Sequence, residues 1–201
     1  MTDIKIYTGE NILPYIDFIA QLRIVTFKEF PYLYQGNLEY EKKYLSGYSS
    51  TENSMIAIAW IDNKIAGIST GIPLISDSDI VAGAKDLFIK HQINPENYYY
   101  YGETIILPKY RGLGLSKKIF SAQDKKAKDL GFHYACMMTV IREMNHPLIP
   151  SDYKSPEPLW RKLGFAKNGL KATFNWPTIC SDSSINDMPN DLEFWVKDIS
   201  I

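Results

Sequence analysis

The stretch YYYYGETIILPKYRGLGLSKKIFSAQDKKAKDLG, residues 98 to 131, constrains the fold more than any other part of the chain. A strongly β-prone run over 98–107 passes two spaced glycines and turns into a helix. Leu115, Ile119, Ala122, Ala127 and Leu130 recur at roughly helical spacing, and Gly131 stops the helix. The helix opens on Lys117 and Lys118, close behind Arg111, although its exposed amides and macrodipole favour anions. An anionic ligand completing the helix start reconciles the two. Gly112 and Gly114 let the backbone approach such a ligand closely, and the amides that follow point at it. The competing reading makes the three cations a solvated surface cluster. A dinucleotide fingerprint would need glycine at position 117, and no G-x-x-x-x-G-K-[ST] loop is present.

The remaining elements fall around this unit. DIKIY (3–7) alternates as an opening strand. A helix is predicted from Ile12 to about Phe27 with Pro14 in its first turn, and LEYEKKYLSGY predicts a second ending near Gly47. SMIAIAWID and KIAGISTGIPL flank Asp62-Asn63 and read as a hairpin. Residues 75–97 form an insertion with a short helix over Ala82 to His91. FHYACMMTV is a buried strand, LWRKLG a short helix ended by Gly164, and FAKNGLKATFNW with DLEFWVKDI two closing strands. The order implies one domain over 1–201, an α/β (α+β) mixed sheet with helices against it.

The segment ILPKYRGLGLSKKIF resembles the acetyl-coenzyme A-binding motif of the GNAT N-acetyltransferases, [QR]-x-x-G-x-[GA]. Arg111 and Gly114 match, and Ser116 fills the last small position. LWRKLGF (159–165) is similar to that family's short helix ending in x-x-G-F. The resemblance implies a mostly antiparallel central sheet splayed at its middle, with helices on both faces. It implies acetyl-CoA as acyl donor and a primary amine of a small molecule or peptide as acceptor. The pyrophosphate would lie on the amides of Leu113, Gly114, Leu115 and Ser116, with Arg111 and Gly112 closing the loop and Lys117 beside it. The pantetheine arm would pair like an added strand with Ile105, Ile106 and Leu107.

Acetyl transfer needs an amine freed of its proton, a polarised carbonyl and a departing thiolate. Glu103, a carboxylate inside an apolar run, is the expected general base; the alternative is a carboxylate that pairs with a cation. The Ile106 amide is the expected carbonyl donor. Many relatives place an acidic tyrosine where this chain has Trp160, which either packs beside the cofactor or is a core aromatic. Tyr153 or Tyr134 then serves as the acid, or none is needed. Tyr32, Tyr34 and Glu39, in an aromatic and acidic segment, are expected to line the acceptor pocket.

Composition excludes other classes. A net charge of −1 argues against nucleic-acid or anionic-membrane binding. No apolar run approaches the ~20 residues that span a bilayer. The two cysteines, Cys136 and Cys180, have no neighbours at ligand spacing, so no metal is expected. Few cysteines and no secretory leader point to the cytoplasm. A longer acyl donor, a non-catalytic coenzyme A sensor and a homodimer all stay open.

Overall fold

The computed structural model describes residues 2–200. The strands are β1 (Thr2–Tyr7), β2 (Met55–Ile61), β3 (Lys64–Pro73), β4 (Tyr98–Ile106), β5 (Tyr134–Val140), β6 (Ala166–Ile179) and β7 (Ile185–Asp198). They form one sheet in the order β1-β2-β3-β4-β5-β7-β6, antiparallel throughout except between β4 and β5. That parallel pair has only three rungs, Tyr98↔Tyr134, Tyr99↔Ala135 and Tyr100↔Cys136. Beyond them β4 stays with β3 as far as Ile106, and β5 stays with β7 as far as Val140. The sheet therefore opens into a wedge between 101–106 and 137–140, the splay expected at its middle.

The helices are α1 (Ile16–Phe27), α2 (Leu38–Ser50), α3 (Ala82–Lys90), α4 (Leu115–Asp129) and α5 (Glu157–Lys162). Strand side chains alternate between faces, and two cores result. Ile16, Ile19, Leu45 and Phe88 of the first three helices pack on Ile56, Ile58, Tyr100 and Phe194. On the other face Phe120 and Ala127 of α4, with Trp160 of α5, pack on Tyr99, Tyr101 and Trp195. The 75–97 segment belongs to the first core, because Phe88 of α3 meets the rings of Tyr98 at 4.9 Å and Phe194 at 5.2 Å. Burying that one side chain stabilises by about 2–3 kcal/mol.

Three boundaries differ from the expected ones. The first helix begins as a 3-10 turn, Gly9–Tyr15, containing Pro14, and becomes α-helical only at Ile16. The second runs three residues past Gly47, to Ser50, and closes where Thr51 donates both its amide and its hydroxyl to Gly47 O. Gly47 is a contact and not a stop: a Cβ there would lie 3.1 Å from Ile80 Cδ1. The closing strands form a long hairpin paired out to Ile179↔Ile185, through polar sequence that hides the alternation.

Candidate acetyl-transfer site

Leaving β4, the chain passes a 3-10 turn, Pro108–Tyr110, and reaches two left-handed glycines, Gly112 (φ 80°) and Gly114 (φ 73°). Nothing lies within 4 Å of a Cβ built at either, so open space borders the turn on both. Gly114 is the N-cap of α4 and supplies no side-chain oxygen to the first amides. Lys118 N is the first α4 amide bonded within the helix, to Gly114 O at 3.3 Å. The amides before it are left to an outside acceptor. Arg111, Leu113, Lys117 and Lys118 are all exposed, and Arg111 donates Nε to Ile106 O at 3.3 Å.

The β4 edge explains that contact. Leu107 N donates to Ala66 O at 3.0 Å, toward β3. Alternation turns the amide of Ile105 the same way and that of Ile106 into the wedge. Of the three residues expected to pair with an extended ligand, Ile106 alone presents its main chain to the open side. The other two anchor the edge.

A bulge sets the next residue. Ser69 faces Thr104 and Gly71 faces Tyr101, so Thr70 alone opposes both Gly102 and Glu103. Side-chain parity reverses there. Tyr99 and Tyr101 lie in the α4 core, yet Ile105 lies in the α1–α2 core, and Glu103 turns to that same side. Gly102 makes the bulge possible: a Cβ would come within 2.5 Å of Tyr48 Oη and 2.6 Å of Thr70 Oγ1.

Glu103 is consequently buried, and it is held on three sides. Its Oε1 pairs with Arg23 Nη1, and its Oε2 accepts from Thr70 Oγ1. Its amide donates to Thr70 Oγ1 at 3.1 Å. A hydroxyl has one hydrogen, which the carboxylate takes, so Tyr48 Oη fills its 3.0 Å contact with Thr70 by donating. Arg23 also donates Nε to Glu41 Oε2 at 2.5 Å and lies over the rings of Tyr44 (4.4 Å) and Phe27 (5.0 Å). Burial opposes the guanidinium's charge, but Tyr44 and Glu41 outweigh it and hold Arg23 above its ordinary value. Neither Arg23 nor Thr70 was among the candidate residues. A signal for the first existed: Arg23 falls at i+7 from Ile16 and i+4 from Ile19, a cation on the buried stripe of its helix.

No family model matches the chain, and no curated protein does. Solved structures do. A ribosomal-protein-alanine N-acetyltransferase from Brucella melitensis aligns at TM-score 0.60 and 12% identity, over 98% of this chain and 99% of that one. A GNAT-family acetyltransferase from Streptococcus pneumoniae aligns at 0.58 and 15%, over 98% and 99%. A Salmonella typhimurium protein assigned as an acetyltransferase, solved with its cofactor acetyl-CoA, aligns at 0.59 and 12%, over 98% and 94%.

The chain has the GNAT fold. At these identities the likeness is one of architecture, and the site has to be read from this chain's own residues.

Within the GNAT frame Tyr32 and Tyr34 border the Arg23–Glu41 cluster, and Glu39, Tyr153 and Trp160 sit elsewhere. Tyr32 meets the Phe27 ring at a tilt, 4.5 Å between centroids, and its carbonyl accepts from Arg142 Nη2 (3.2 Å) and Trp176 Nε1 (3.3 Å). Burial pushes its hydroxyl up to about 12. Tyr34 sits beside Glu41 without closing a hydrogen bond of normal geometry, and burial, then that carboxylate, push it up. Glu39 is exposed in the first turn of α2; Glu41, two residues on, is the acidic side chain that turns inward. Tyr153 meets Phe30 edge-on at 4.7 Å and lines a groove of about 220 Å³ with Thr139, Val140 and Glu157. Trp160 packs on Trp195 at 5.3 Å in the α4–α5 core. Among the described residues no cluster of His, Cys, Asp or Glu could hold a metal ion, and no helix is long and apolar enough to cross a membrane.

Proposed function

We propose that this chain transfers an acetyl group from acetyl-coenzyme A to a primary amine of a small molecule or peptide. The observation that carries the reading is the coincidence of the β4–β5 wedge with the open glycine turn at the start of α4. An amide-bearing arm lying in the wedge would meet the Ile106 main chain. Its diphosphate would meet the amides of 113–116 with Lys117 alongside.

Bond by bond, the acceptor ammonium loses a proton and its nitrogen attacks the thioester carbon. The nitrogen then loses a second proton as the C–S bond breaks. One proton goes to the thiolate and one to solvent. Glu103 is the group we assign to take up protons, directly or through a water, and the Ile106 amide is the donor to the carbonyl oxygen. Burial raises the Tyr153 hydroxyl and makes it a poorer acid. We assign no general acid, because a thiol pKa of ~8.5 makes the thiolate a tolerable leaving group unaided. Tyr32 and Tyr34 are assigned to the acceptor side.

The Arg23–Glu103 pair favours a second reading, a module that binds coenzyme A without catalysis. A screen of amines with acetyl-coenzyme A, following free thiol, decides between them. Turnover lost in Glu103→Gln with coenzyme A affinity kept supports catalysis. Wild-type protein that binds coenzyme A and acetylates no amine supports the module. Arg111→Glu and Gly114→Glu should each weaken coenzyme A binding by at least tenfold in calorimetry, since charged hydrogen bonds are worth about 1.5–3 kcal/mol. Unchanged binding would remove the turn from the site.

A further inference from the structure

We infer that Arg23, Glu41 and Glu103 act as one charged unit, in which Glu41 is a positioning residue that sets the basicity of Glu103. The inference rests on the acetyl-transfer reading above and deepens it. Arg23 bridges the two carboxylates, through Nε to Glu41 and Nη1 to Glu103. All three groups are buried, at 8%, 0% and 5% exposure. Among the described residues Arg23 is the only cation within ion-pair distance of either carboxylate.

Two carboxylates against one guanidinium leave one surplus negative charge away from water, which is costly. Among the described residues the buried Glu41 Oε1 closes no hydrogen bond of normal geometry, with the Tyr34 hydroxyl beside that carboxylate. The surroundings supply no other counter-charge. The groups facing the unit are Tyr32 and Tyr34 from the loop after α1, Tyr44 and Tyr48 from α2, Thr70 from β3 and Tyr100 from β4. None of these carries a positive charge.

A guanidinium alone would make Glu103 a weak base, because it stabilises the ionised form. A second carboxylate on the same guanidinium opposes that effect by like-charge repulsion. Glu41 also fixes the Nε side of Arg23, so that Nη1 and Thr70 hold Glu103 in one orientation. Glu103 takes each proton as the N–H bond breaks and passes it to thiolate or solvent. Glu41 touches neither substrate nor proton.

The test is the pH profile of kcat for wild type, Glu41→Gln and Glu41→Asp, with coenzyme A affinity measured alongside by calorimetry. In Glu41→Gln the surplus charge is gone, so the acid limb should move to lower pH by about half to one unit. Plateau kcat should fall about tenfold, as expected for a weaker base, with coenzyme A affinity and acceptor KM kept. Glu41→Asp retains the charge and should keep the limb in place, which also serves should Glu41→Gln not fold. A fall in rate with an unmoved limb in Glu41→Gln makes Glu41 merely structural and overturns the inference, as does a displaced limb in Glu41→Asp. Wild-type protein without acetyl transfer fails the parent reading first, and this one with it.

Discussion

Thr70 faces two residues of β4 where a regular ladder would give it one, and it grips the second, Glu103, by both amide and carboxylate. The extra residue reverses which face of the sheet the strand's later side chains serve. It takes the carboxylate out of the α4 core and brings it to Arg23.

Two glycines should respond to alanine for different reasons. Gly102→Ala drives a methyl against Tyr48 and Thr70 and should destabilise by about 1–3 kcal/mol. Gly114→Ala meets no neighbour and should lose about 1–2 kcal/mol from its left-handed backbone alone. Urea unfolding measures both. Only the first should also disturb a nearby tyrosine in near-UV circular dichroism.

Arg23→Met removes the cation between two buried carboxylates. Breaking a buried pair from one side costs about 3–5 kcal/mol, seen as a lowered urea midpoint at neutral pH. Adding Glu41→Gln and Glu103→Gln to that variant should recover much of the loss, since the penalty lies in the charges left behind. No recovery would mean that packing of Phe27 and Tyr44 on the guanidinium dominates.

Arg142 holds the loop between α1 and α2. It donates to the carbonyls of Pro31 (2.8 Å) and Tyr32 (3.2 Å) and to Asn190 Oδ1 (2.5 Å). Burial pulls its charge down, against the pull of Asp191. Arg142→Ala should speed amide exchange across 28–36 by about tenfold or more while leaving β2 and β3 protected, read by mass spectrometry. Equal protection in both proteins would assign the loop's order to Trp176 and the Tyr34↔Thr178 bridge.

Alkaline pH should unfold the protein cooperatively. Burial raises Tyr48, Tyr99, Tyr100 and Tyr101 above the ordinary value of 10.0. The folded state thus holds protons that the unfolded chain releases first. Their contribution is full below pH 10 and is lost as pH rises through and beyond it. Tyrosinate absorbance should therefore rise together with loss of helical circular dichroism. Separate transitions would show that these hydroxyls ionise inside the folded protein.

The β4–turn–α4 unit was legible because glycine is a local choice: a left-handed turn demands it whatever packs nearby. The Asp62-Asn63 hairpin, with both residues at positive φ, was legible for a similar reason. The bulge was not, because it exists only in the register of β4 against Thr70, which sequence periodicity does not carry. The inward turn of Glu41 in place of Glu39 depended likewise on the rotation of α2 over the sheet. Arg23 was readable in principle, as a charge on an apolar stripe, but its two partners lie on other elements.

Only three rungs join β4 to β5, so the two halves of the sheet meet along a short seam. What holds them together beyond those rungs is the side-chain packing on either face, Tyr100 with Phe194 in one core and Tyr101 with Trp195 in the other. Any extended ligand that stitches the open part of that seam would brace the two halves against each other, and the liganded protein would melt at a higher temperature than the free chain.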